Sequence, residues 1–223
     1  MTIEAVVALK TLSQSKRRLS AVLNDSQRCD LVEAMAQDVL SCLMTHPEID
    51  TVHAVCGDGW SRNAFPEGPL MVWQEAEKQE DGLIAAYEMI AAKTAAERLL
   101  FIHADLPFLG QEDISALIAA SRDHHAVLSP DLIETGTNAV LRWRHQSLPL
   151  CFGEDGFARH QQAAKAAESP WRVVRARGVA LDVDEPADLN RLDGNDPGLG
   201  EATARWSVGN GISVSLSATH RAR

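Results

Sequence analysis

Three features of the sequence predict an α/β fold, a single domain with a mixed, mostly parallel sheet flanked by helices. Short apolar runs rich in β-branched residues alternate with longer segments whose apolar residues recur at helical spacing, the order in which β-α units wind a right-handed sheet. The stretch Leu99-Leu100-Phe101-Ile102-His103-Ala104-Asp105-Leu106-Pro107 opens on an apolar run without helical period, as a strand buried on both faces requires. A length of 223 residues, 45% of them apolar, fills one core and leaves little for a second.

The elements follow in order. Ile3 to Leu9 is the first strand, ending at Lys10, and the loop after it carries Lys16, Arg17 and Arg18. Ser26 is the expected N-cap of a core-facing helix running to Thr45. Thr51 to Cys56 and Leu70 to Trp73 read as the second and third strands, and a polar, mostly acidic segment from Gln74 to Asp81 leads through Gly82 to a helix over Leu83 to Ala95. The Leu99 strand comes next. Pro107 bars it from continuing as a ladder donor, so Asp105 is expected at the carboxyl end of a central strand, where open α/β sheets bind ligands. There it either holds a metal ion or caps the turn into the helix from Gln111 to Ser121.

Ala126 to Ser129 and Ala139 to Arg144 read as strands, with the loop Pro130 to Asn138 between them. Within that loop Thr135, Gly136, Thr137 and Asn138 offer hydroxyls, an amide and close backbone approach, either as an oxygen-binding surface or as a plain turn. Gly153 to Gly156 opens a helix with Arg159 and His160, whose N-terminus suits an anion, although Glu154 and Asp155 oppose one. Val173 to Arg175 and Val179 to Val183 are expected to close the sheet. Strand alternation would place Asp182 and Asp184 on one face, one capping the helix that starts at Pro186 and the other free for a metal. Residues 193–223, rich in Gly, Asp, Asn and Pro at the start, read as a flexible or partly ordered tail, in which Ile212, Val214 and Leu216 alternate as an edge strand would.

A formal charge of −10 argues against nucleic acid or an anionic membrane as partner. An anionic ligand must therefore be met by a local cationic patch, and the Lys10 to Arg18 loop is that patch unless it is merely a solvated turn. Cys29, Cys42, Cys56 and Cys151 show no paired spacing, and no basic segment precedes an apolar signal core, so a soluble, cytoplasmic protein is expected.

The ordered set Val7-Ala8-Leu9-Lys10, Ser15-Lys16-Arg17-Arg18-Leu19, His103-Ala104-Asp105-Leu106-Pro107, Gly136-Thr137-Asn138-Ala139, Phe152-Gly153 with Phe157 and His160, and Leu181-Asp182-Val183-Asp184-Glu185-Pro186-Ala187-Asp188-Leu189 resembles the 2-phospho-L-lactate guanylyltransferase family of coenzyme F420 biosynthesis. Relatives in that family act on phosphoenolpyruvate or 3-phospho-D-glycerate. The resemblance implies a nucleotidyltransferase domain of the glycosyltransferase-A-like, Rossmann-like type over residues 1–192, using Mg²⁺, GTP and a small phosphorylated carboxylic acid, with a homodimer left open. Matched by motif, Asp105 and Asp184 would bind metal with Asp182 as substitute. Lys10, Lys16, Arg18 and Gly82 would serve the nucleotide, and Lys16, Arg18 and Asp105 the catalysis. Thr137, Asn138, Gly153, Gly156 and His160 would contact the acid. The chain departs from the family where Gly156 replaces a usual serine and Ile84 a usual asparagine. Two alternatives remain: a nucleotidyltransferase for a sugar phosphate or molybdenum cofactor, or a non-catalytic nucleotide-binding module. The first usually opens with a Gly-rich loop, which this chain lacks.

The implied reaction is in-line attack by a phosphate oxygen of the acid on the α-phosphorus of GTP. A phosphomonoester with second pKa near 6 is mostly dianionic at neutral pH, so no general base is needed. The barrier is the approach of two anions, which leaves positioning and charge neutralisation as the means of catalysis. His103, two positions before Asp105, is read as a packed histidine against a lesser site role, because imidazole is a poor partner for Mg²⁺.

Overall fold

The computed structural model describes residues 1–61, 65–74, 82–146 and 148–212. Its strands are β1 (Ile3–Leu9), β2 (Thr51–Cys56), β3 (Leu70–Gln74), β4 (Arg98–Ile102), β5 (Ala126–Pro130), β6 (Thr137–Trp143) and β7 (Trp171–Val173). The helices are α1 (Asp25–Thr45), α2 (Gly82–Lys93), α3 (Gln111–Ala120), α4 (Gly156–Ala166), α5 (Arg177–Ala180) and α6 (Glu201–Gly209).

The seven strands form one sheet in the order β3-β2-β1-β4-β6-β5-β7. β1 pairs in parallel with β2 and β4, β2 with β3 and β5 with β7, whereas β6 lies antiparallel between β4 and β5. Among these strands β6 alone runs against the rest. The carboxyl ends of β1, β4 and β5 therefore share an edge with the amino end of β6, which brings Lys10, Asp105, Asp131 and Thr137 to one rim.

Every residue of β4, β5 and β6 is buried, because both faces of the sheet are covered. On one face Leu40 and Leu43 of α1, Ile114 and Leu117 of α3 and Val179 of α5 pack over Val7, Leu100 and Leu141. On the other, Tyr87 and Ile90 of α2 and Phe157 and Ala164 of α4 pack over Val6, Phe101 and Val140. Each large apolar side chain removed from water here contributes about 1.5–3 kcal/mol.

The structure corrects four local expectations. Asn24, not Ser26, caps α1: its side chain accepts from Gln27 N at 2.9 Å while Gln27 Oε1 accepts from Asn24 N at 3.1 Å, the reciprocal box that a Gln at N3 permits. Residues 179–183 do not form a strand, since Arg177–Ala180 is the short helix α5 and residues 181–184 carry no regular structure. The cap before the turn at Pro186 is supplied by neither Asp182 nor Asp184. Asp188 Oδ2 accepts from Asp184 N at 2.9 Å and from Glu185 N at 2.8 Å instead.

Nor does the segment after Leu192 begin as a loose tail. Leu192, Leu199, Ala202 and Trp206 share a buried cluster with Leu31 and Met35 of α1. Asp38 accepts from Ala202 N and Thr203 N at 2.8 Å each, fastening the first turn of α6 to α1. Ile212 packs against the same cluster, and Val214 and Leu216 lie outside the described residues.

Candidate active site

β1 delivers Lys10 to the rim, and the segment after it is held from three sides. Leu12 N donates to Asp58 O at 2.9 Å, and Trp60 Nε1 donates to Lys10 O at 2.9 Å. The third hold comes from α1. Arg28, with a side chain only 5% exposed, donates through Nη2 to Ser13 O at 3.1 Å and to Asp25 Oδ1 at 2.9 Å, and through Nη1 to Ser15 O. A guanidinium spreads such fixed donors over two carbonyls as no other side chain does. At Gly57 the approach is so close that a Cβ would lie 2.5 Å from Thr11 N, so the end of β2 must be glycine there.

Lys16 follows this clamp in the left-handed region, at φ 51. Its Nζ donates to both Asp105 Oδ2 and Asp184 Oδ1. Burial alone would lower the Lys16 pKa, but the two carboxylates outweigh it and raise it, so the side chain stays an ammonium. Burial would raise Asp105, yet Lys16 and then His103 hold it at about 2. Asp105 is brought to Asp184 by the backbone as well, for Val183 N donates to Asp105 O at 3.2 Å. Asp105 Oδ1 is buried with no hydrogen-bond partner among the described residues. Asp182 is pushed up to about 6 by burial, then by Asp105 and Asp184.

A cleft of about 870 Å³ opens on this group and is lined by Lys10, Lys16, Arg17 and Arg18 on one side and by Thr137, Asn138 and Gly153 on the other. The far wall is a tight loop. Asp131 accepts from Thr135 N at 2.9 Å and from Gly136 N at 2.8 Å, turning the chain into β6. Asn138 Nδ2 donates to Val179 O at 2.9 Å, which fixes α5 under the rim. The lining thus combines these cations with the hydroxyl, amide and backbone groups of Thr135, Thr137, Asn138 and Gly153 and with the carboxylates of Asp105, Asp131, Glu154, Asp155, Asp182 and Asp184.

A model of the family described as "Guanylyl transferase CofC like" matches residues 3–223. The chain belongs to that family. It is 35% identical over 198 residues to the phosphoenolpyruvate guanylyltransferase of Sphaerobacter thermophilus, covering 88% of this chain and 95% of that one. The 2-phospho-L-lactate guanylyltransferase of Halorubrum lacusprofundi is 30% identical over 208 residues, 91% of this chain and 90% of that one. A crystal structure from Desulfovibrio desulfuricans G20, provisionally described as a nucleotide-diphospho-sugar transferase, has the same fold with a TM-score of 0.75 at 15% identity, covering 95% of this chain and 97% of that one.

In this guanylyl transferase the structure brings Lys10, Lys16, Arg18, Asp105, Asp182, Asp184, Thr137, Asn138 and Gly153 to one cleft. Arg18 Nη1 leans on Glu185 Oε1 at 3.4 Å, an exposed contact of little energetic weight. Gly82 opens α2, and its neighbour Leu83 reaches the lining. Two expected acid-binding residues stand behind the wall. His160 is fully buried, with Nε2 accepting from Cys151 N at 2.8 Å and Nδ1 facing Thr137 Oγ1 at 3.0 Å and Gly156 O at 2.9 Å, so it touches the cleft only through Thr137. Gly156 is buried too, and a Cβ on it would lie 2.9 Å from Cys151 O. His103 lines the cleft with its ring 5.1 Å from Phe152, and burial lowers its pKa. Sequence reasoning missed Arg28 altogether. An arginine in a helix's first turn reads as a solvated charge, and nothing in its spacing says that it reaches back to Ser13 and Ser15.

Proposed function

We propose that this chain transfers GMP from GTP to the phosphate of a small three-carbon phospho-acid, whether 2-phospho-L-lactate, phosphoenolpyruvate or 3-phospho-D-glycerate, releasing pyrophosphate. A phosphate oxygen of the acid forms the new bond to the α-phosphorus as the bond from that phosphorus to the departing pyrophosphate breaks. No proton need move, because the attacking phosphate is already ionised. The chain's part is therefore to bring two anions together and to spread the charge that builds on the leaving group. Lys16, kept protonated by its carboxylate neighbours, with Lys10, Arg17 and Arg18 beside it, neutralises the polyphosphate. Thr137 and Gly153 orient the acid from the opposite wall.

Asp105 and Asp184 are the residues that would hold Mg²⁺. The donor set fits: two hard carboxylates, one with a buried oxygen lacking any partner among the described residues, match an ion that takes one or two carboxylates and keeps several waters. Bound there, Mg²⁺ supplies charge stabilisation at phosphoryl oxygens.

The observation that carries this reading is the meeting of Lys16, Asp105 and Asp184 at the rim that Thr137 also faces. Pyrophosphate release from GTP and Mg²⁺, run in parallel with the three acids, tests it. Release with at least one acid is expected. No release with any acid while GTP still binds would leave a binding module, and release with a sugar phosphate instead would point to the other nucleotidyltransferase reading.

A further inference from the structure

His160 is joined to the acid wall by bonds that fix which way each hydrogen points. The Cys151 backbone N–H donates to His160 Nε2 at 2.8 Å, and a ring nitrogen that accepts carries no proton. The imidazole is therefore neutral with its proton on Nδ1. That nitrogen faces two oxygens, Gly156 O at 2.9 Å and Thr137 Oγ1 at 3.0 Å. A carbonyl can only accept, and a protonated Nδ1 has no lone pair to receive a hydroxyl proton. Thr137 Oγ1 can thus accept from His160 but not donate to it, so its own hydrogen is turned away from the imidazole, and Thr137, 1% exposed, is itself among the residues that line the cleft.

We infer that His160 is a positioning residue that makes Thr137 an obligatory hydrogen-bond donor, biasing the acid subsite towards an anionic acceptor oxygen of the substrate. The inference rests on the proposed reaction for the identity of that substrate, and on the hydrogen-bond geometry alone for the direction of the hydroxyl. Complete burial supports it, since His160 has no open side from which to touch a ligand itself. The edge-on contact with Phe152, ring centroids 5.2 Å apart, keeps the imidazole plane fixed.

Asparagine and glutamine separate the two ring nitrogens. Asn at 160 can place its amide N–H₂ near the position of Nδ1, whereas Gln reaches the position of Nε2 and leaves Thr137 without its donor. Steady-state kinetics of His160→Asn, His160→Gln, Thr137→Val and the double variant His160→Gln/Thr137→Val are the test. The KM for the phospho-acid is expected to rise about tenfold in His160→Gln and in Thr137→Val, the loss of one hydrogen bond. It should rise no further in the double variant, stay within about twofold of wild type in His160→Asn, and the KM for GTP should hold throughout. Multiplying effects in the double variant, or a GTP KM that rises with the acid's, would overturn the inference. The imidazole ¹⁵N spectrum of the wild-type protein is a second reading that needs neither turnover nor a folded variant. Protonation at Nδ1 alone is expected, and an Nε2-protonated ring overturns the inference. Wild-type protein inactive with all three acids would instead remove the proposed reaction, leaving the spectrum to decide the hydroxyl's direction.

Discussion

Lys16 Nζ donates to Asp184 Oδ1, tying together two residues 168 positions apart in the chain. The same ammonium serves Asp105, so one lysine compensates two carboxylates at the rim. Lys16→Met would leave Asp105, whose side chain is 23% exposed, ionised without its main partner. A loss of about 3 kcal/mol is expected, the cost of stranding one member of a largely buried pair. The denaturant midpoint reads this directly, and an unchanged midpoint would mean that the contact is incidental.

The clamp made by Arg28 predicts a nucleotide phenotype from a residue that lines no part of the cleft. Arg28→Lys keeps the charge but cannot span the carbonyls of Ser13 and Ser15. The loop bearing Lys16 would then sample other conformations, and the KM for GTP is expected to rise about tenfold while that for the acid changes little. Equal rises for both substrates would show general loosening instead.

His160 gives the stability a pH dependence of definite sign. Burial pushes it down to about 4, from the ordinary 6.5. The unfolded chain therefore binds a proton between those values that the folded chain refuses, and stability falls as pH drops from about 6.5 towards 4. Above that window the contribution is fully present. Urea midpoints followed from pH 7.5 to 4.5 should fall in wild type, with a shallower slope in His160→Asn. Parallel slopes would take His160 out of the effect.

Gly156 stands where the family resemblance implies a serine, and introducing that hydroxyl is not expected to help. A Cβ there meets the Cys151 carbonyl at 2.9 Å and Thr137 N at 3.6 Å, backbone on both sides. Gly156→Ser should destabilise by about 1–3 kcal/mol through overpacking. It should also loosen the Cys151 contact that orients His160. A variant with wild-type thermal stability and a lower acid KM would contradict this.

The sheet was legible because its strands are short apolar runs and its turns carry Gly and Pro. The motif residues were legible because Lys16, Asp105, Thr137 and Asp184 each stand at the end of such a run or in the loop beyond it. The run Val179 to Val183 misled for the same reason, its β-branched residues suiting a strand. Docking overrides that preference: a Cβ on Gly178 would lie 2.3 Å from Phe108 O, so the chain meets the loop before α3 at a closeness that the helical turn of α5 provides. α6 escaped notice because its burial rests on little more than Ala202 and Trp206 in a polar segment, made firm by Asp38 on another helix. Arg28 and His160 act through backbone groups distant in sequence, and spacing carries no record of that.

The most direct measurement is the rate of pyrophosphate release from GTP by Asp105→Asn beside wild type, with Mg²⁺ and each phospho-acid, and with folding checked by circular dichroism. The variant is isosteric, and Lys16 keeps Asp184 as its partner, so the fold is expected to stand while turnover falls by about 10²–10³-fold or more. Unchanged turnover in a folded Asp105→Asn protein would contradict the account.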